Sequence, residues 1–442
     1  MKKLIYYLAV MLIATACEKG NEKQEDQLIL SDRTEQNQTA HADQMEADGM
    51  TFIAGSSWTA TVRDETQTSD VDWLRLMLDG RETYKGTAGT FTLSFKLTPN
   101  DTGVERTATI TIKSGDNSIA VTVLQTQTTE DGEVLIAKGE TGALSWKLTN
   151  NGVLTISGNG KMPDYKRGSD YLISETHPWH LFREAIKSVI IENGVTSIGD
   201  NAFYNCSLAT IAIPNGVTKI GEMAFDCCAS LVSIVIPEGV TNIEGNAFSH
   251  CISLTEVFIP NSVVEIGTRA FEGCRSLTSV VIPGSVKTIG YYAFAECINL
   301  VDLNISHGVQ TIESHAFASC PSLTDVDIPN SVGKIGPGAF YRCANLVSVT
   351  IPNSLITIDE YTFHGCRSLS KLTIPYSVVE IMDGAFSACT GLTEITLETV
   401  FPPIVRGSNF SDINPPIYVR EQSLQAYRND PFWSTFNLQV RN

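Results

Sequence analysis

The chain has 442 residues, 43% hydrophobic and 18% charged, which suits roughly two to four domains with sizeable cores and argues against global disorder. Its formal net charge is -18. An acidic surface repels phosphate backbones and anionic lipid, so nucleic acid and basic-patch membrane docking are excluded as leading roles.

Met1-Lys2-Lys3 supplies a positive start, and Leu4 to Ala16 is an apolar run too short to span a bilayer. Residues 1–16 therefore read as a signal peptide. The run ends in Ala14-Thr15-Ala16-Cys17. Small residues before a cysteine resemble a bacterial lipobox, which implies lipidation of Cys17. Ala14 stands where that motif usually carries leucine. The alternative is a secretory signal followed by an incidental cysteine. No other segment is apolar enough to span, so Cys17 is the one membrane anchor expected. Residues 17–27 are polar and aperiodic and read as a flexible tether. They resemble the acidic post-cysteine stretch of surface-exported Bacteroidetes-type lipoproteins. That resemblance implies an outer-membrane, cell-surface location, with a periplasm-facing one left open.

Residues 28–128 carry short alternating runs: Trp58 to Val62, Phe91 to Leu97, Thr107 to Ile112 and Ile119 to Leu124, with a turn at Asp116-Asn117. Short strands, turn signals and no cysteine predict an immunoglobulin-like β-sandwich. Trp58, Asp72-Trp73-Leu74, Asn100, Arg106 to Ile112 and Val121 to Gln125 resemble a BACON domain. The resemblance implies glycan binding or a spacer role. Trp58 and Trp73 are the candidate glycan-binding residues, by stacking on sugars; the alternative is that both belong to the core.

Residues 133–185 read as an N-terminal cap. Leu144 to Leu148 alternates, Asn151-Gly152 is a hairpin turn, and Val153 to Ile156 returns. Trp179 is expected to cover the open end of the repeats that begin at 186. His177 and His180 have metal-ligand spacing, but no third ligand stands nearby.

From 186 to 397 the chain repeats. Cys228, Cys251, Cys274, Cys297, Cys320, Cys343, Cys366 and Cys389 are 23 residues apart, and Cys206 precedes the first by 22. Each follows a Phe by three residues, from Phe203 to Phe386. In the unit beginning at Cys274, Leu277, Val280 and Ile282 belong to a short strand, and Ser279 and Val281 point outward. Pro283 ends the strand, and Val286 and Ile289 return to the core. Gly290 is expected at a backbone position strained for other residues, and Tyr291 to Ala295 as one helical turn. A solenoid is the consequence, because one unit cannot bury its apolar side alone.

The signature A-F-x-x-C-x-x-L-x-x-[IV]-x-I-P-x-[GS]-V-x-x-I resembles the BspA-like leucine-rich repeats of bacterial surface antigens. Ser306 and Glu398 replace its proline, and Thr362 its alanine. The fold expected is mainly β: a sandwich followed by a leucine-rich-repeat solenoid. Residues 398–442 are similar to the family's C-terminal cap, with a short helix capped by Ser423 and an aromatic plug around Trp433.

An exported chain with eleven cysteines invites disulfides. Equivalent positions in stacked units, however, have parallel Cβ vectors that suit buried thiols better. Vicinal Cys227-Cys228 is the exception to watch. No hydrolase elbow, HExxH, P-loop or dinucleotide fingerprint occurs. No catalytic residue, metal site or cofactor is expected.

The function predicted is adhesin-like binding of a macromolecular partner, protein or glycan, by the outward strand column. Its candidates are Glu256, Phe258, Asp302, Asn304, Asp325, Asp327, Lys371 and Thr373. The alternative is a glycan-binding lipoprotein acting through residues 28–128.

Overall fold

A computed structural model describes residues 28–31, 37–40, 44–64, 71–100, 104–127, 133–166, 177–410 and 413–441. The signal segment, Cys17 and the tether up to residue 27 lie outside the described residues. The contacts divide the chain into two units. One takes in the described residues up to Lys138 together with Lys147–Asn151; the other comprises Gly139–Trp146 and Gly152–Asn442.

The first unit is a β-sandwich of two five-stranded sheets. One runs in the order Leu28–Leu30, Glu46–Ala54, Gly89–Leu97, Leu74–Leu78, Arg81–Glu82. The other runs Asn37–Ala40, Asn117–Gln125, Arg106–Ser114, Trp58–Asp64, Lys85–Gly86. Alternation explains the layering: along Arg106–Ser114 every second residue is buried, so Ala108, Ile110 and Ile112 face the opposing sheet. The hairpin turn falls one residue earlier than expected. Asn117 already pairs with Ser114, and Gly115, at φ 58°, takes the left-handed position.

The second unit is a solenoid with two parallel ladders where one was expected. The first stacks Val153–Gly158, Ser188–Ile191 and Thr210–Ala212. It continues through Ser233–Val235, Glu256–Phe258, Ser279–Ile282 and Asp302–Ile305 to Leu438–Val440. The second stacks the two-residue strands that hold the returning isoleucines: Lys219–Ile220, Asn242–Ile243, Glu265–Ile266 and Thr288–Ile289. A third row of bonds joins neighbouring units at the Ala-Phe segment. Phe248 N–H donates to Ala270 O at 2.8 Å and Phe294 N–H to Ala316 O at 2.8 Å.

That third row replaces the helical turn expected at Tyr291 to Ala295. The segment is a run of turns with two left-handed residues, Tyr292 at φ 54° and Glu296 at φ 58°. Equivalent residues repeat the geometry, among them Arg269, His315 and Gly338 at the first position and His250, Ser319 and Gly365 at the second. A helix would satisfy these N–H groups within the unit; the turns instead direct them to the next unit. Gly290 corrects a second expectation, since it lies outside the left-handed residues. A Cβ there would sit 2.6 Å from Gly267 C, so close backbone approach is what it allows.

Inside, Phe203, Phe225, Phe248, Phe271, Phe294, Phe317, Phe340, Phe363 and Phe386 stack with centroids 5.1–5.5 Å apart. Trp179 closes one end, stacked on Phe203 at 5.6 Å with its Nε1–H on Ala202 O. Phe410 and Trp433 close the other, and Trp433 Nε1–H donates to Pro403 O at 2.9 Å. The helix Leu424–Asn429 follows Ser423, but that hydroxyl makes no capping bond. The chain enters through the 3-10 turn Glu421–Ser423, so Ser423 has φ -95°, ψ -16° instead of the extended geometry a capping serine takes.

Candidate binding surface

The first ladder alternates by the period of two, so one residue in each pair must face solvent. Glu256, Phe258, Asp302, Asn304, Asp325, Asp327, Lys371 and Thr373 are all exposed on that outward face. In-register pairing sets their neighbours: Phe258 beside Val235, Val281 beside Asn304, Asp325 beside Ser348. An apolar row results that reading Phe258 alone did not reveal. Val235 is 68% exposed, Phe258 57% and Val281 58%, with Ile190 and Ala212 further toward the N-terminal end of the column. One period beyond Val281 stands Asn304, and from that unit on the face turns acidic, at Asp302, Asp325 and Asp327. The Ser348 hydroxyl bonds Asp325, and Lys371 pairs with Glu394 at 3.3 Å. The signal for the row was in the sequence, as a hydrophobic residue at the outward position of three successive units.

The other candidates lie elsewhere. Trp58 is 1% exposed and Trp73 2%. Enclosed indoles present no face to a sugar, so the stacking role expected of them is corrected. Trp73 Nε1–H donates to Asp64 Oδ2 at 2.9 Å. The Arg106 guanidinium lies 4.7 Å over its ring and bonds Gln125 Oε1 and Thr98 O. Most residues that carried the BACON resemblance thus meet in one core with its buried polar network. On the same sandwich Asp72, Arg75, Glu82, Lys96 and Thr98, together with Trp73, Met77 and Leu97, line an open pocket of about 310 Å³.

His177 stacks on Trp179 at 5.5 Å, and burial drives its pKa down to about 4. It is a neutral packing ring inside the cap. No disulfide joins the ten described cysteines. Column thiols donate to the Phe carbonyl of the unit before: Cys251 Sγ to Phe225 O at 3.2 Å, Cys320 to Phe294 O at 3.2 Å. They hold the fold and face no solvent.

The same register appears in a family model. BspA-type leucine-rich-repeat regions match residues 181–301 and 287–414, more than half of the chain. The chain belongs to the BspA-type leucine-rich-repeat family. Residues 63–126 of this BspA-type protein match the BACON model ("Putative binding domain, N-terminal"), which places that domain within the sandwich. Neither matched family is catalytic. No curated protein matches the chain. Among solved structures it is similar to a leucine-rich cell-surface protein of Faecalibacterium prausnitzii A2-165, at 27% identity over 69% of this chain and 95% of that one, TM-score 0.33. It is also similar to a leucine-rich repeat protein of Bacteroides ovatus ATCC 8483, at 23% identity over 69% and 100%, TM-score 0.37. No helix among the described residues is long and apolar enough to cross a membrane.

Proposed function

We propose that this BspA-type protein is an exported, lipid-anchored surface protein that binds a protein partner through the outward face of its first ladder. The apolar row Val235–Phe258–Val281 carries the reading, because contiguous exposed apolar residues rimmed by polar ones mark interaction sites. Glu256, Asp302, Asp325 and Asp327 continue the same face, so the partner that fits has an apolar prominence flanked by basic groups. The anchor rests on the lipobox-like Ala14-Thr15-Ala16-Cys17, and its leaflet on the acidic stretch after it. By the same reading the chain runs as tether, sandwich from 28 to 128, cap, repeats from 186 to 397 and closing cap.

The test is a pull-down from extracellular-matrix and cell-surface extracts, with bound proteins identified by mass spectrometry. Wild-type protein is compared with Phe258→Asp and Asp325→Lys. Phe258→Asp is expected to lose the partner, and Asp325→Lys to weaken it most at low salt. Recovery unchanged in both variants removes this face from consideration.

The glycan reading keeps one support, the pocket at Arg75, Glu82 and Lys96. It predicts that the intact mature protein binds on a glycan array and that Arg75→Ala with Lys96→Ala abolishes the signal. An array without signal leaves the sandwich as a structural module.

A further inference from the structure

We propose that Asp226, Cys227 and His250 form a binding site for a divalent cation of the zinc class, with one coordination position open to solvent. A carboxylate oxygen, the thiol and a ring nitrogen from these residues lie within 4.8 Å of one another. Cys227 Sγ is 3.5 Å and His250 Nδ1 3.9 Å from Asp226 Oδ1. Metal–ligand bonds of ~2.0–2.3 Å in a tetrahedron put ligand atoms about 3.3–3.8 Å apart, so small side-chain shifts close the site. Thiolate with imidazole and carboxylate suits zinc, whereas calcium and magnesium take oxygen ligands.

The stacking builds this cluster. Cys227 and His250 occupy the same repeat position in successive units, the second left-handed residue, at φ 62° and 55°. That geometry sets them on the turn edge, away from the strand face, while Cys228 next to it turns inward and donates to Phe203 O at 3.0 Å. Asp226 is held beside them, 8% exposed. In the following unit Gly273 fills the same position, and a Cβ there would meet the His250 ring at 3.1 Å. Ser249 places its hydroxyl 2.7 Å from His250 Nδ1, the nitrogen that faces the site, so this hydroxyl turns away as the cation takes that lone pair. Binding converts the Cys227 thiol to thiolate and passes its proton to solvent. Three protein ligands from two units leave the fourth position to water or to a ligand atom of a partner.

The test is titration of the reduced, metal-free mature protein with cobalt(II), followed by displacement with zinc. One equivalent of cobalt with thiolate-to-cobalt charge-transfer absorption is expected. Cys227→Ser should abolish that absorption, and His250→Gln and Asp226→Asn should each weaken binding more than tenfold. Ser249→Ala should leave the affinity equal or tighter, because its hydroxyl competes for the same ring nitrogen. Unchanged thermal melts of the metal-free variants separate ligand loss from misfolding. Absence of the charge-transfer band in the wild type overturns the proposal. So does its survival in Cys227→Ser, and so does affinity unchanged in both His250→Gln and Asp226→Asn.

Discussion

Phe294 lies 5.1 Å from Phe271 and 5.5 Å from Phe317, and none of its ring is exposed. Its truncation leaves a void lined by two rings that the backbone rows hold in place. Phe294→Ala is therefore expected to cost about 3–5 kcal/mol, seen as a lowered midpoint in urea. The thiols make a second prediction. Burial pushes Cys206, Cys274, Cys343 and Cys389 up to about 12, and half-buried Tyr165 and buried Tyr427 rise likewise. The folded state thus favours the protonated thiol. Its contribution is complete below the unfolded thiol pKa of about 8.5 and is lost as pH rises from there toward 12. Melting temperature in reducing buffer should fall from pH 9 to pH 11, and replacing Cys274 and Cys343 with Ala should flatten that fall.

A strand such as Glu256–Phe258 or Thr288–Ile289 has three or two residues and no stability of its own. It exists because the units before and after it supply its bonds. The elements that differ are therefore those at the ends. Trp179 replaces a Phe at one end of the aromatic stack, and Phe410 with Trp433 completes the other. Terminal units without such cover expose apolar edges. Trp433→Ala should cost about 3–5 kcal/mol and raise binding of an apolar dye, because it opens the end of the spine. Dye binding equal to wild type would place the seal elsewhere.

Across the solenoid, each unit bonds to its neighbours through the same three rows, so stability is close to a sum of units and interfaces. Deletion of residues 275–297 removes one period and rejoins Cys274 to Ile298-Asn299-Leu300 in register. That protein should keep its far-UV circular dichroism and melt cooperatively at a lower temperature. Deletion of residues 275–286 breaks the period and should abolish the cooperative melt. The sandwich has its own core, centred on Phe52, Trp58, Trp73 and Phe95, and both deletions should leave its near-ultraviolet signal intact.

The period determined the solenoid, because residues in equivalent surroundings must repeat: Phe294, Cys297, Leu300 and Ile305 are buried where the pattern put them. It also determined the outward face, since strand alternation follows from backbone geometry alone. Alternation around Trp58 and Trp73 left open which side met the core, and only the opposing sheet decided that both indoles are enclosed. The two left-handed turns were hidden because their hydrogen-bond partners lie a full unit away. Asp226, Cys227 and His250 were hidden for the same reason. Asp226 and Cys227 are adjacent, but His250 stands one period further along the chain and meets them only across the spacing of stacked units.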